Sequence, residues 1–149
     1  MYPKWHALSG IILVALIWIF IPQIKILYLI LIFAAAFLID FDHYAIAIFR
    51  TKKFSLKNAF DYYEKERLKE IKEIKRGIKR KGDFHFFHTI EFQALLGVLG
   101  FFWIGFFYLF VGMVFHSLLD LIDMLYKGRI HRREFFFFNW ARKRKTKQN

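Results

Sequence analysis

The chain has 149 residues, 57% of them hydrophobic, with 21 phenylalanines, no cysteine and a formal net charge of +12. That length fits one domain, and the missing cysteine excludes disulfides and thiolate metal sites. Apolar residues in long unbroken blocks argue against a soluble protein, and basic residues confined to a few segments fit membrane topology better than a nucleic-acid surface, so nucleic acid is not expected as a partner.

Residues Ala7 to Ile39 are 33 almost wholly apolar positions, broken only by Ile21-Pro22-Gln23 and Lys25. One straight helix of that length would be about 50 Å long, well beyond the ~30 Å hydrocarbon core. A helical hairpin turning at Pro22-Gln23 fits better, with short arms that require a thinned bilayer or a turn below the far interface. No small-residue cleavage site follows the apolar core, so a cleavable signal is not expected. The second arm runs into Asp40-Phe41-Asp42-His43 and an apolar extension, giving a hairpin over residues 6–49.

The character changes at Arg50. Ser55 is the expected N-cap of a basic amphipathic helix over 55–81, with Leu56, Phe60, Tyr63, Ile71, Ile74 and Ile78 at helical spacing among Lys, Arg and Glu. Such a helix either lies on anionic lipid head groups or packs its stripe on the rest of the protein. Residues 84–126 form a second apolar block, with Gly97, Gly100 and Gly105 near its middle, and read as spans over Phe86–Phe102 and Phe106–Tyr126. The tail, 127–149, joins Arg129-Ile130-His131-Arg132-Arg133 to the aromatics Phe135–Phe138 and Trp140 and the basic end Arg142–Lys147, which is the composition of an interfacial anchor. His131 is expected to be solvated there.

The expected fold is therefore an all-α integral membrane protein, with four transmembrane or membrane-embedded helices as two hairpins and a cytoplasmic amphipathic helix between them. This topology puts His6, Asp40, Asp42, His43, His88, His116 and Asp120 on one side of the membrane. On the same side fall 23 of the 24 Lys and Arg, all but Lys25. The positive-inside rule makes that side, with both termini, the cytoplasmic face of the plasma membrane.

His116, Asp120 and Asp123 share one helix face, at spacings of four and seven residues, inside an apolar segment. Ionisable groups in that setting are costly and usually meet a partner charge or a metal. Imidazole and carboxylate without thiolate suit zinc, manganese or iron. The seven convergent groups are the candidate ligands, enough for roughly one to three divalent ions, most naturally zinc, with Asp40 or Asp42 able to bridge. Asp42 and Asp120 are the candidate catalytic carboxylates, positioning or deprotonating water. His85, Thr89, Glu91 and Asp123 read as partners that orient ligands. A site at the cytoplasmic surface would meet lipid head groups or other membrane-bound phosphoesters. Two other readings stay open: haem held by His88 and His116, and a non-catalytic membrane protein stapled by its metal.

An N-terminal His, Asp40-Phe41-Asp42-His43, His88-Thr89 at the start of a span, and His116-Ser117-Leu118-Leu119-Asp120 near the end of another form a pattern that resembles the LexA-regulated membrane-bound metal-dependent hydrolases. That family is distantly similar to the zinc-dependent phospholipase C and single-strand nuclease superfamily. The resemblance implies a metal-dependent hydrolase, with phosphoester substrates suggested by the wider superfamily. The Arg and Gly of the family's middle element, His-Arg-Gly-x-Thr-His-Ser, are absent from His85-Phe86-Phe87-His88-Thr89.

Overall fold

A computed structural model describes residues 3–146, with side chains from Lys4 to Lys145; Lys147, at the basic end of the tail, lies outside the described residues. The described chain is all-helical, 75% helix without strands. Its helices are α1 (Pro3–Phe20), α2 (Ile26–Leu38), α3 (Phe41–Thr51), α4 (Leu56–Lys75), α5 (Ile90–Leu99), α6 (Ile104–Tyr126) and α7 (Phe137–Thr146), with one 3₁₀ turn at Ile130–Arg132.

The first apolar block folds as the expected hairpin. α1 and α2 pack on one another across a turn that begins after Phe20, and Pro22, which offers no N–H to a continuing helix, lies within it. α2 and α6 share the most extensive interhelical contact. Small residues make it possible: a Cβ on Gly112 would lie 2.3 Å from the Ile32 carbonyl oxygen and 2.8 Å from the Ala35 Cβ. Small side chains of this kind let two helix backbones approach closely.

Two helical stretches, Ile26–Thr51 and Ile104–Tyr126, are long and apolar enough to cross a membrane. Only 33% and 28% of their most apolar windows are buried, so their apolar surface is turned mainly outward, unlike a core helix of a soluble protein. The other two apolar helices are shorter. α5 has ten residues, about 15 Å of rise and half a hydrocarbon core. The span expected over Phe86–Phe102 is therefore trimmed at both ends. Thr89 caps α5 by accepting from the Phe92 N–H, leaving 84–88 as irregular chain. At the far end a Cβ on Gly100 would meet the Gly97 carbonyl at 2.9 Å and the Phe107 Cβ at 3.0 Å, so the tight turn into α6 requires glycine.

The amphipathic helix also ends earlier than its periodicity suggests. α4 stops at Lys75 because Gly77 takes a left-handed conformation, φ +72°, and Ile78 N–H turns back to the Glu73 carbonyl. Ser55 precedes α4 in extended backbone but makes no side-chain cap. The face that α4 turns inward is not the apolar stripe: Leu56 and Phe60 are 64% and 61% exposed, while Glu70 and Glu73 point towards the tail arginines.

Candidate metal centre

Four segments bring imidazole and carboxylate groups together: the start of α1, the α2–α3 junction, the irregular chain before α5, and the middle of α6. α2 ends at Leu38 because the chain breaks at Asp40 before resuming as α3. Ala36 lies in the last turn of α2, where carbonyls lack intrahelical partners. Its oxygen accepts a hydrogen bond from His116 Nδ1–H at 2.8 Å. On the other imidazole, His88 Nδ1–H donates to Asp42 Oδ2 at 3.1 Å. Asp42 Oδ2 also accepts from the Phe87 N–H at 3.3 Å.

These two bonds place a proton on each Nδ1 and turn the Nε2 atoms of His88 and His116 towards each other, 3.3 Å apart. Asp40 Oδ1 lies 3.6 Å from His88 Nε2 and 3.4 Å from His116 Nε2. Asp120 Oδ2 lies 3.9 and 3.7 Å from the same two atoms. Electron-pair donors this close repel one another unless a proton or a metal cation sits among them. A zinc ion with bonds of about 2.0–2.1 Å sets neighbouring tetrahedral donors roughly 3.3–3.4 Å apart. The contacts span 3.3–3.9 Å and form two overlapping sets around His116, one of His88, His116 and Asp120 and the other of His6, Asp40 and His116, each of which could hold a divalent ion. His88 and His116 are fully enclosed, and their Nδ1 partners are the outer supports that ligating imidazoles ordinarily have.

Comparison with known proteins finds no matching family model, no similar curated protein and no similar solved structure.

The seven sequence-predicted ligands fall into three overlapping groups of side chains that could hold an ion. His6 stacks on His116 with ring centroids 3.7 Å apart and places Nε2 3.1 Å from Asp120 Oδ1, while its buried Nδ1 has no partner. Asp42 and His43 belong to an adjoining group with His85 and His88, a second set of convergent metal-binding side chains. There Asp42 Oδ1 and His85 Nδ1 are both buried without a hydrogen bond, 3.4 Å apart. Burial pushes the His85 pKa down despite the raising pull of Asp42, so its imidazole is neutral and its lone pair usable as a donor.

The remaining predicted partners serve the scaffold. Thr89 caps α5; Glu91 accepts from the N–H groups of Phe137 and Phe138 and so anchors α7. Asp123 pairs with Lys127 and with Arg129 Nη2 at 2.7 Å. His131 is not solvated as expected: it is partly buried, with Nε2 enclosed and unpartnered.

The candidate centre adjoins a cavity of about 680 Å³, lined by residues of α3, α4 and the tail, through Asp40, His43, His85 and Asp120. Arg129, Arg132 and Arg133 form one wall, and Tyr44, Leu56 and Phe60 an apolar side. Arg133 Nη2 donates to Asp120 Oδ2 at 2.7 Å. Its sequence context, a basic run beside aromatics, signals only a membrane contact; bringing it to Asp120 requires the tail to fold back. Tyr63 on α4 was equally hidden in an amphipathic stripe, and its hydroxyl donates to the His43 carbonyl at 2.9 Å.

Proposed function

We propose that this chain is a membrane-embedded, metal-dependent hydrolase that acts on a phosphoester, most naturally a lipid-linked one, at the cytoplasmic face. The observation that carries the reading is the convergence of His88 Nε2, His116 Nε2 and Asp120 Oδ2, with His6 and Asp40 as a second set sharing His116, beside a cavity large enough for a head group. A divalent ion at such a site supplies Lewis acidity to water and to phosphoryl oxygens. His88, His116 and Asp120 would hold it, or His6, Asp40 and His116; Asp42 and the Ala36 carbonyl orient the imidazoles of His88 and His116. His6 Nε2, 3.1 Å from Asp120 Oδ1, orients that carboxylate.

The membrane setting rests on the apolar outer surfaces of α1, α2, α5 and α6, which form two hairpins with the polar groups gathered at one end. α4 presents Leu56, Phe60, Leu68 and Ile71 outward beside its lysines, an amphipathic face suited to anionic lipid. The apolar side of the cavity, Tyr44, Leu56 and Phe60, adjoins that face and favours a substrate with a hydrocarbon portion.

A metal staple is the second reading, favoured because His6, His88, His116 and Asp120 are all buried protein side chains, as the ligands of closed structural sites are. Haem loses support: two Nε2 atoms only 3.3 Å apart and flanked by carboxylates leave no slot for a porphyrin. Metal analysis of detergent-purified wild type and His116→Ala, followed by assays on lipid phosphoesters, separates the readings. Bound zinc or manganese with hydrolysis lost in His116→Ala is expected. Full metal occupancy with no hydrolysis of any phosphoester supports the staple, and metal-free folded protein ends both.

A further inference from the structure

We propose that Arg133 is the anion-positioning residue of this centre, its guanidinium binding phosphoryl oxygens of a ligand held above the metal ligands. The proposal rests on the metal-dependent reading above and adds to it a residue from outside the predicted ligand set.

Among the described ion pairs of the tail arginines, that of Arg133 reaches a candidate metal ligand. Arg129 pairs with Glu70 and Asp123, and Arg132 with Glu70 and Glu73. Arg133 reaches past them to Asp120 Oδ2, with its side chain 12% exposed and opening on the cavity. Backbone contacts hold it there. Gly82 N–H donates to the Arg132 carbonyl at 2.8 Å, Lys81 Nζ to the Arg133 carbonyl at 3.0 Å, and Ile90 N–H to the Phe135 carbonyl at 3.0 Å. A side chain fixed on both flanks is pre-organised, so little rotamer freedom remains to be lost when it binds.

The local pairing at Asp120 points to an anion. Of the other carboxylates lining the cavity, Glu64 pairs with Arg67, Glu66 with Arg80, Asp83 with Arg50, and Glu70 and Asp123 with Arg129. Arg133 pairs with Asp120, so a divalent ion on Asp120 would share that carboxylate with the guanidinium and set two cations side by side at the cavity. A guanidinium carries five N–H donors in a planar fork; with one directed at Asp120, the fork's geometry still matches phosphate oxygens. An anion bridging the ion and Arg133 satisfies both charges.

The rival role is purely structural, neutralising Asp120. Phosphate titration separates the two roles. Full-length wild type, Arg133→Gln, Arg133→Lys and, as a control, Arg132→Gln are purified in detergent and loaded with zinc. Elemental analysis gives zinc content, and calorimetric titration with inorganic phosphate gives affinity. The expected result is zinc content unchanged in Arg133→Gln with phosphate affinity down about 10–100-fold, the range for lost hydrogen bonds to a charged group. Arg133→Lys, which keeps the charge and guards against misfolding of the neutral variant, is expected to weaken phosphate several-fold, and Arg132→Gln to leave it unchanged. Equal phosphate affinity across all four proteins at equal zinc content overturns the proposal. So does an Arg133→Gln deficit that vanishes at saturating zinc, or zinc-loaded wild type that binds no phosphate. Arg133-dependent phosphate binding in a protein that hydrolyses no phosphoester would sink the hydrolase reading and leave the anion site standing.

Discussion

The paired hairpins and the polar cap are built on opposite principles. In the hairpins, α2 and α6 meet through small side chains and a glycine set against a carbonyl, with large apolar residues turned outward. In the cap, charge ties α4 to the segment that follows it and to the tail: Glu66 and Glu73 to Arg80, then Glu70 to Arg129 and Glu73 to Arg132. Asp83 adds a further tie, accepting from Arg50 Nη2 at 2.9 Å and Tyr62 Oη at 2.8 Å. The candidate metal ligands sit at the seam. His116 and Asp120 come from the hairpin side, whereas Arg133 comes from the cap, so the ligand cluster and the cavity beside it answer to different forces. Disrupting the hairpin contact is expected to destroy the cluster, and disrupting the cap to loosen only the cavity.

The largest effect is expected from His116→Ala, which removes both a donor and the bond to Ala36. Elemental analysis should show metal affinity falling beyond the roughly 10–100-fold typical of outer partners. Asp42→Asn, which disturbs only the support of His88, should fall within that 10–100-fold range in a chelator competition, with helix content intact. If Asp42→Asn abolishes binding as completely as His116→Ala, Asp42 is a ligand and the adjoining group holds an ion of its own. Gly112→Ala overpacks the α2–α6 contact and should cost about 1–3 kcal/mol in detergent thermal unfolding; an unchanged transition would show that this contact is not what holds the hairpins together.

Smaller effects belong to the cap. Glu70→Gln removes the acceptor shared by Arg129 and Arg132. It should destabilise by about 1 kcal/mol or less, given that Arg129 stays partly open to solvent, with faster hydrogen exchange over 129–133 and unchanged metal content. High salt should mimic it. The smallest is a pH effect at Tyr62, whose pKa burial and the Asp83 carboxylate push up to about 12. The folded state keeps this proton when the unfolded chain has lost it. Stability linked to Tyr62 is therefore full below about 10 and lost as pH rises from there to about 12. Alkaline titration of Tyr62→Phe beside wild type checks this: the variant should lose less stability over that interval.

Much of the site was legible in the sequence because its residues are anomalies. Asp40, Asp42, His116 and Asp120 stand out as ionisable groups in apolar blocks, and the hairpin parity alone places His6, His88 and His116 at one end. The side chains that complete the site carried no such contrast. Arg133 is one of nine basic residues from Lys127 onward, and Tyr63 one aromatic in an amphipathic stripe.

Hydropathy, proline and helical spacing by themselves determined the all-helical class, the first hairpin and the clustering of the ligands, since each is a property of nearby residues. Only the tertiary structure decided that α5 is ten residues long, that α4 turns its acidic face inward, and which ligand nitrogens face the centre. Those outcomes depend on partners distant in the chain: the Ala36 carbonyl and Asp42 that orient two imidazoles, and the tail arginines that meet Glu70 and Glu73. Periodicity along one segment carries no record of what the opposite segment presents to it.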